Sequence, residues 1–427
     1  MRDLIRKHIN GNRSPVSDAT NSLTLDITTA LKGRKIKCKS GEDILTWTVP
    51  KYWRVRAAYI ATASDEKVID FNDSPLHLWT HSISFDGVLS KEELEKHLLF
   101  SKEKPDWIPY HYRNGYRYAA AEWGFCISYN RWKAMTDSHY KVHIDADLTE
   151  SGEMLVGDCH IKGRLEETIF FAAHSCHPSL ATDGLTCLAV IVELFKILKL
   201  RDNKYSYKSI IGPEYYASAA YLAKAPPEEM SKLKGGIYLD MLGNRQPLAF
   251  QSSFYGDSIL DKVTENVFKH AFNDYKKFKF RKLWGNDELF YNGPGFLIPT
   301  VGVGGLHHPE YHFSADNYDL IDFPQLDESV KLLLKIIDVF ESDFIPQLRY
   351  KGPLHLSKYN LYIDPKVDKR GYDLLDGIQI MADGNNSCFE IAYALDADYF
   401  FVNDFFNKLH RHGLVSRADV NLLTIKG

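Results

Sequence analysis

Cysteine is scarce in this chain, and no stretch of the sequence is both long and purely apolar. The six cysteines are scattered over 427 residues, which is not the spacing of a disulfide framework and favours a reducing environment. No uncharged apolar run approaches the roughly 20 residues that a membrane-spanning helix needs. The first residues, MRDLIRKHIN, lack the apolar stretch and the cleavage site of a secretory signal. The sequence therefore predicts a cytoplasmic protein with no membrane partner.

A strong net charge of either sign is also missing. The formal net charge is −4, from 52 Lys and Arg against 56 Asp and Glu, so nothing electrostatic favours nucleic acid as a partner. A hydrophobic share of 44% and a charged share of 25% are typical of globular proteins. The length corresponds to about three domains of roughly 150 residues each. Composition leaves enzyme and binding module open, and does not decide whether the chain forms homo-oligomers.

A short strand, a polar loop and an amphipathic helix follow one another between residues 168 and 200. The run from Thr168 to Ala173 is rich in β-branched and aromatic residues, as expected of a strand buried on both faces. Apolar residues then recur at helical spacing from Leu185 to Leu198. Ligands of open α/β sheets bind at the carboxyl ends of strands. The loop between strand and helix is therefore a candidate metal site, with imidazole, thiol and carboxylate groups at His174, Cys176, His177 and Asp183.

Predicted strands alternate with helices beyond this point, which favours a three-layer α/β domain. The sequence predicts strands over 154–161, 205–211, 235–241, 248–251, 278–283 and 298–303, and helices over 258–272 and 326–340. Further polar residues fall just after these strands, at Glu214, Asp240, Asp287, Glu288 and His312. Zinc accepts imidazole and carboxylate ligands, and a carboxylate that bridges two metals lets both polarise one water. The joint pattern indicates a metal-dependent hydrolase in which a further carboxylate transfers protons.

Each of these residues also has a structural interpretation. Asp183 stands at the start of a helix and, taken alone, is better explained as its N-cap. Asp240 and Asp287 could equally form turns, and His312 could cap one. Cys176 lacks a clear base partner and is interpreted as a small packing residue. Only the combination of these residues favours a metal site.

The segments before and after this domain have a different character. Residues 1 to about 40 predict two short helices, and residues 45–140 predict a β-rich module with many aromatic residues, which we interpret as packing residues. The last 75 or so residues predict three short helices, over 376–381, 389–394 and 403–412, and resemble a winged helix-turn-helix. Residues 351–427 contain 9 Lys and Arg against 10 Asp and Glu, a net of 9 − 10 = −1. A packing or protein-contact module is therefore preferred over a DNA-reading domain, which should present a basic face.

Taken together, these motifs resemble a bacterial family of aminopeptidase-like proteins of unknown function, whose catalytic domain is similar to the zinc aminopeptidases of metallopeptidase family 28. The family motif is a histidine, any residue and Cys-His-Pro, followed by a loop with an aspartate. It is matched here by His174, Cys176, His177, Pro178 and Asp183. Further matches are residues 47–53 (WTVPKYW), 70–71, 108–110, 123–126 (WGFC), 240, 287–288, 311–312 and 314–316.

The resemblance implies a fold and a division into domains. We expect a three-layer, aminopeptidase-like (phosphorylase/hydrolase-type) α/β/α domain with a β-rich inserted domain and a C-terminal winged helix-turn-helix. The expected boundaries are 1–44 with 141–345 for the discontinuous catalytic domain, 45–140 for the insertion and 346–427 for the tail. Genes of this family often lie near polysaccharide-biosynthesis genes. This indicates a biological context but does not identify an activity.

The resemblance also implies a ligand set for one or two zinc ions. His174 aligns best with the first histidine ligand, although His177 is an alternative that the sequence does not exclude. Asp183 would be the bridging carboxylate, Asp240 a terminal ligand and His312 the far histidine. The peptidases carry two adjacent glutamates, a base and a ligand. Here Glu214 is followed by Tyr215, so that one of the two roles is missing or is supplied by Asp287 or Glu288.

Two functions from different classes follow from this comparison. The first is a zinc-dependent hydrolase of the aminopeptidase type that cleaves an amide bond in a peptide, an aminoacyl or an amino-sugar conjugate, with Glu214 or Glu288 as general base. The second is a catalytically degenerate binding or scaffold protein of the same fold. The second is favoured where this chain departs from the family motif, at Gly184, Cys187 and Tyr215.

Overall fold

The structure is a computed structural model that describes residues 1–424. Its strands, in chain order, are β1 (Arg34–Lys39), β2 (Asp43–Ile44), β3 (Trp47–Thr48), β4 (Tyr52–Ala61), β5 (Lys67–Asp70), β6 (Phe85–Ser90), β7 (Leu98–Leu99), β8 (Phe125–Cys126), β9 (His139–Thr149), β10 (Glu153–Ile161), β11 (Thr168–His174), β12 (Ser206–Gly212), β13 (Leu233–Asp240), β14 (Leu248–Gln251), β15 (Lys276–Phe278), β16 (Thr300–Gly305), β17 (Phe344–Leu348) and β18 (Val415–Asp419). Its α-helices are α1 (Arg2–His8), α2 (Asp18–Ala30), α3 (Lys91–Glu95), α4 (Tyr129–Ala134), α5 (Leu185–Leu198), α6 (Tyr216–Lys224), α7 (Pro227–Met230), α8 (Ile259–Ala271), α9 (Glu288–Asn292), α10 (Phe323–Ser342), α11 (Lys369–Met381), α12 (Cys388–Ala394) and α13 (Tyr399–Arg411).

The largest sheet has eight strands in the order β1-β10-β12-β11-β13-β16-β14-β15. Its centre is parallel, since β12, β11, β13 and β16 pair with one another in the same direction. Antiparallel pairs flank this centre, with β10 and β1 on one side and β14 on the other. The parallel arrangement brings the carboxyl ends of four neighbouring strands to one edge of the sheet.

Helices cover both faces of this sheet, because its central strands are apolar on both sides. Along β11, Ile169 and Phe171 belong to a hydrophobic cluster that includes α5, α8 and α10. The alternate residues Phe170 and Ala172 belong to a second cluster that includes α6. The expected mixed α/β fold, a large sheet with helices, is confirmed.

Most predicted elements of this domain are present with shifts of a few residues, and one prediction is wrong. The predicted strand over 278–283 is only Lys276–Phe278, which pairs with β14. The chain then turns, with Arg281 at φ +55° and its guanidinium donating a hydrogen bond to the carbonyl of Asn286 at 3.0 Å. The apolar residues Leu283 and Trp284 are buried by this turn and not by a strand.

A separate antiparallel sheet is formed between Tyr52 and Thr149. Its four strands lie in the order β5-β4-β9-β6, and its core contains Trp53, Phe125 and Trp132. The long strand β9 ends at Thr149, four residues before β10 begins in the central sheet. The segment that follows β7, around residues 104–118, leaves this sheet and reaches the loop of His312.

The C-terminal residues pack against the helical layer formed by α8 and α10. Helices α11, α12 and α13 contribute Leu375, Phe389 and Phe406, respectively, to the same cluster as α8 and α10. Strand β17 follows α10 directly, and it pairs with β18 near the end of the described chain. Asn266 of α8 donates a hydrogen bond to the carbonyl of Ala397 at 2.8 Å and accepts one from the N–H of Tyr399 at 3.2 Å. Buried amide groups therefore fix the position of the tail on the central domain.

Candidate metal centre

Six of the residues singled out in the sequence meet at the carboxyl end of the central sheet. His174 is the last residue of β11 and Asp240 the last of β13, and these strands pair directly. Glu214 follows β12, the neighbour of β11 on the other side. The remaining three come from loops that follow β11 and β16: His177, Asp183 and His312. Their convergence follows from the strand order.

The first group consists of His174, Asp183 and Asp240, all of them buried. Nε2 of His174 lies 3.1 Å from Oδ1 of Asp183 and 3.6 Å from Oδ1 of Asp240. Asn286 donates a hydrogen bond to the other carboxylate oxygen of Asp240 at 3.0 Å. One imidazole nitrogen and two carboxylate oxygens thus face one point.

The second group consists of His177, Asp183 and His312. Nε2 of His312 lies 3.0 Å from Oδ2 of Asp183, and the rings of the two histidines are 5.5 Å apart. Asp183 therefore turns one oxygen towards each group. His174 belongs to the first group and His177 to the second, and a third set of ligand atoms, from His174, Cys176 and His177, contains both. The geometry therefore places both alternatives that the sequence left open at the centre.

Several polar atoms at this centre are buried without a hydrogen-bond partner. They are Nε2 of His174, Oδ2 of Asp183 and Nε2 of His312. These atoms are close to one another, but their angles are not those of hydrogen bonds. Because an unpartnered buried polar atom costs about 1–3 kcal/mol, a cluster of them calls for a ligand. Imidazole nitrogens and carboxylate oxygens fit zinc.

The electrostatics of the cluster favour a positive charge between His174, Asp183 and Asp240. Burial lowers the pKa of His177 to about 3, so this imidazole is neutral at pH 7. Burial by itself would raise the pKa of Asp183, but the adjacent imidazoles hold it well below its usual range. Burial opposes protonation of His174, yet Asp183 and Asp240 raise its pKa well above its usual value. A cation that replaces this proton would make the same contacts.

Four of the fourteen non-glycine residues with positive φ among residues 1–424 lie at this centre. His177 has φ +84°, Tyr215 has φ +61°, Met241 has φ +52° and His312 has φ +60°. Each of these residues either belongs to the cluster or directly follows a member of it. Residues with side chains rarely adopt positive φ, and such strain accumulates at functional sites.

Glu214 lies beside the two groups and belongs to neither of them. Its Oε2 is 3.8 Å from Nε2 of His177 and accepts a hydrogen bond from the hydroxyl of Tyr116. Burial raises the pKa of Glu214 to about 8. With this pKa the group is a carboxylic acid at pH 7, and a cation bound at the adjacent groups would lower the pKa and give the carboxylate that a proton acceptor needs.

The carboxylates of Asp287 and Glu288 point elsewhere. Asp287 accepts hydrogen bonds from the N–H of Tyr215 and from the hydroxyl of Ser218 at 2.6 Å. Glu288 accepts from the N–H of Asn286 at 2.9 Å and pairs with Arg281 at 3.4 Å. These contacts use both carboxylates to hold the loop around residue 286.

Cys176 lies between the two histidines that precede and follow it. Its Sγ is 3.3 Å from Nδ1 of His177 and 3.8 Å from Nδ1 of His174, and it accepts a hydrogen bond from the N–H of Glu214 at 3.3 Å. Burial raises the pKa of the Cys176 thiol. The thiol therefore orients the imidazoles of His174 and His177 and holds the backbone at Glu214, just after β12. This role is more specific than packing.

Two buried groups hold the loop of Asp183, and sequence reasoning assigned no role to either, although Asp316 lies in a stretch that matches the family motif. Asp316 accepts hydrogen bonds from the N–H of Thr182 at 2.9 Å and from the N–H of Asp183 at 3.3 Å. Arg13, fully buried, donates to the carbonyl of Leu180 at 2.6 Å. The spacing of charged residues in the sequence could not predict these contacts, because the partners are backbone groups more than 130 residues away.

The segment between β7 and β8 also contributes to the wall of the centre. Tyr110 packs edge-on against the rings of His177 and His312, with centroids 5.1 and 5.3 Å apart. Its N–H donates to the carbonyl of His312 at 2.8 Å. Together with the contact between Tyr116 and Glu214, this places aromatic residues of that segment at the candidate metal centre.

Comparison with known proteins gives one family and one homologue. Residues 3–343 match the family described as Domain of unknown function (DUF4910). The chain is 31% identical over 374 residues to a Clostridium acetobutylicum protein provisionally named polysaccharide biosynthesis protein with aminopeptidase-like domain, covering 83% of this chain and 82% of that protein. Among the described residues, no helix has both the length and the apolar character needed to cross a membrane.

Solved structures show the same fold at two levels of similarity. A provisionally named peptidase from Clostridium acetobutylicum has a TM-score of 0.86 and 28% identity, with 97% of this chain and 95% of that chain covered. BSAP, a zinc aminopeptidase from Bacillus subtilis, has a TM-score of 0.54 and 13% identity, with 79% and 93% covered. A peptidase M28 precursor from Shewanella amazonensis has a TM-score of 0.52 and 12% identity, with 79% and 92% covered.

Proposed function

This chain belongs to the DUF4910 family of aminopeptidase-like proteins, and we propose that it is a metal-dependent hydrolase of the aminopeptidase type that cleaves an amide bond. The observation that carries the proposal is the position of Asp183, whose two carboxylate oxygens face two separate groups of ligand atoms. A structural aspartate that only caps α5 would not need three histidines around it. The N-cap interpretation of Asp183 also loses support, since the N-cap position of α5 is Gly184.

We propose zinc as the metal, with His174, Asp183 and Asp240 holding one ion and His177, Asp183 and His312 a second. When bound, such a pair polarises a water molecule and the amide carbonyl. His177 then fills the ligand role that the related peptidases give to a second glutamate, which is why Tyr215 can occupy that position here.

Glu214 is the proposed general base. It accepts a proton from the attacking water and donates it to the nitrogen of the cleaved amide, so that the amine leaves as a neutral group. The Tyr116 hydroxyl holds one carboxylate oxygen of Glu214, which leaves the other oxygen free for this transfer. Asp287 and Glu288, the alternatives from the sequence, are assigned to loop support because their oxygens already accept hydrogen bonds.

The proposed substrate is a peptide, or an aminoacyl or amino-sugar conjugate. The peptide class is supported by the zinc aminopeptidase fold, and the sugar class by the name of the Clostridium acetobutylicum homologue. Tyr110, Tyr112 and Tyr116 surround the centre with aromatic rings, which suits a small substrate better than a folded protein.

The domain division proposed from the sequence is kept: 1–44 with 141–345, 45–140 and 346–427. The separate core of the four-stranded sheet supports the insertion. Three helices that lie in the chain between the paired strands β17 and β18 support a winged-helix tail. Because the tail shares its core with α8 and α10, we propose that it is a packing module and not a DNA reader. Cytoplasmic location stays a proposal, supported by six cysteines that form no disulfide.

Metal analysis combined with an aminoacyl substrate panel tests the function. The purified protein should contain about two zinc ions per chain and should release amine from aminoacyl substrates, and Asp183→Asn should abolish both. Two bound zinc ions without turnover over a broad panel would favour the scaffold alternative. A chain that binds no divalent metal would contradict both the centre and the reaction.

A further inference from the structure

Tyr116 also lines a cavity that the proposed chemistry does not use. The cavity has a volume of about 210 Å³ and lies between residues 46–51, residues 115–120 and the start of α6. Trp47 meets Tyr216 edge-on with centroids 5.5 Å apart, and Tyr116 lies parallel to Tyr216 at 6.0 Å. One side of the cavity is therefore a fixed aromatic surface.

The charges that line this cavity are all positive. Lys51 and Arg117 line it, and no carboxylate does. Arg117 is paired with Glu122 at 3.2 Å, so its guanidinium fork is occupied. Lys51 lies 5.2 Å from the ring of Tyr118 and makes no ion pair within residues 1–424. A single available ammonium group matches a ligand with one negative charge.

A buried imidazole supplies a further polar group. His81 lines the cavity, is 4% exposed, and has an Nε2 atom that is buried without a hydrogen-bond partner. Burial lowers the pKa of His81 to about 4, so this nitrogen belongs to a neutral ring. Such an atom requires a partner, and a hydroxyl group of a bound ligand would provide one. The hydroxyl of Thr46 at the cavity wall offers a second contact.

The volume restricts the size of the ligand. About 210 Å³ lies below the roughly 300 Å³ at which sites for drug-sized ligands begin. This volume suits one six-membered ring with its substituents, and a longer ligand would extend from the cavity into solvent.

We propose that this cavity binds one sugar ring that carries a carboxylate, that is, a hexuronic acid residue. The apolar face of the ring would lie on the aromatic side formed by Trp47 and Tyr116, its carboxylate would pair with Lys51, and a ring hydroxyl would bond to His81. A purely aromatic acid would leave the His81 nitrogen without a partner. Tyr116 both lines the cavity and donates a hydrogen bond to Glu214, so a sugar bound here would lie one side chain away from the proposed base. Only this last link rests on the proposed function.

The binding test uses the full-length, zinc-loaded protein and isothermal titration with glucuronate, glucose and inorganic phosphate. Glucuronate should bind saturably, and at least about tenfold more tightly than glucose or phosphate, the ratio expected of one charge-assisted hydrogen bond. Lys51→Met should remove that preference. Lys335→Met, a change of the same kind at an exposed position on α10, should leave it unchanged.

Three results would overturn the inference. They are equal binding of glucose and glucuronate, tighter binding of phosphate, and no saturable binding of glucuronate up to about 50 mM. A separate variant distinguishes a failure of this binding from a failure of the proposed reaction. Asp183→Asn should lose turnover but keep the affinity for glucuronate, so a protein that binds the acid and hydrolyses nothing would refute the reaction alone.

Discussion

Gly184→Ala is the substitution that tests most sharply how the metal centre is built. Gly184 precedes α5 at φ +95° and follows Asp183, the carboxylate shared by both groups. A Cβ atom at this position would lie 2.5 Å from the carbonyl oxygen of His174 and 2.7 Å from its Nδ1. We therefore expect alanine here to displace His174, Asp183 or both.

The expected size of the effect follows from these distances. Ordinary contacts of a Cβ atom begin at about 3.4 Å, so backbone or imidazole must move by nearly 1 Å. Alanine at positive φ costs about 1–3 kcal/mol of folding free energy. A displacement of about 1 Å in a catalytic arrangement reduces activity by about 100-fold. Metal affinity should fall by at least about tenfold, because one ligand of the first group no longer faces the common point.

Zinc titration, steady-state hydrolysis and urea unfolding of Gly184→Ala measure these three quantities. Gly352→Ala is the matched control, since Gly352 has φ +76° and nothing within 4 Å of a built Cβ atom. Both variants should lose stability from positive φ, but only Gly184→Ala should lose metal affinity and activity. If Gly184→Ala binds zinc and turns over as the wild type does, the proposed packing of the centre is refuted.

Three further predictions concern single contacts. Tyr116→Phe removes the hydrogen-bond donor to Glu214 and should lower kcat by about 10- to 100-fold with unchanged zinc content; an unchanged kcat would show that this contact has no part in the reaction. Asp316→Ala leaves two N–H groups of the loop unpaired and removes one of the two partners of the Thr182 hydroxyl, and should lower the free energy of urea unfolding by about 3–5 kcal/mol. A loss below about 1 kcal/mol would contradict this. Burial raises the pKa of Asp343 from 3.8 to about 7, so folding loses stability as the pH rises from about 4 to about 7, by at most roughly 4 kcal/mol. Asp343→Asn should remove that part of the pH dependence of urea unfolding, and curves parallel to the wild type between pH 5 and 8 would refute it.

The central strands could be predicted because burial on both faces leaves a clear pattern in the sequence. The run from Thr168 is apolar without interruption, and β11 is found there, one residue longer than predicted. The stretch after Phe278 alternates apolar and basic residues, as an exposed strand does, but it forms a turn that buries Leu283 and Trp284. Apolar character predicts burial, and does not by itself distinguish a strand from a packed turn.

The metal centre could be predicted as a set of residues, since polar groups that follow parallel strands converge at one edge. The choice between His174 and His177 could not be made, because it depends on the positive φ of His177, which turns that imidazole towards His312. The two-group arrangement makes the choice unnecessary.

Contributions from distant segments could not be predicted from the sequence. Tyr116 reaches Glu214 across 98 positions in the chain, and its aromatic neighbours favoured the packing interpretation. Asp287 and Glu288 show the opposite case. Their sequence pattern suits a catalytic pair, whereas the structure gives them backbone partners on a buried loop.

Anomalous diffraction at the zinc absorption edge, from crystals grown with zinc, tests the central claim most directly. Two peaks should flank Asp183, one against His174 and Asp240 and the other against His177 and His312. Peaks that lie only elsewhere on the protein, or a single ion that leaves Asp183 without contact, would contradict the shared-carboxylate centre from which the proposed reaction follows.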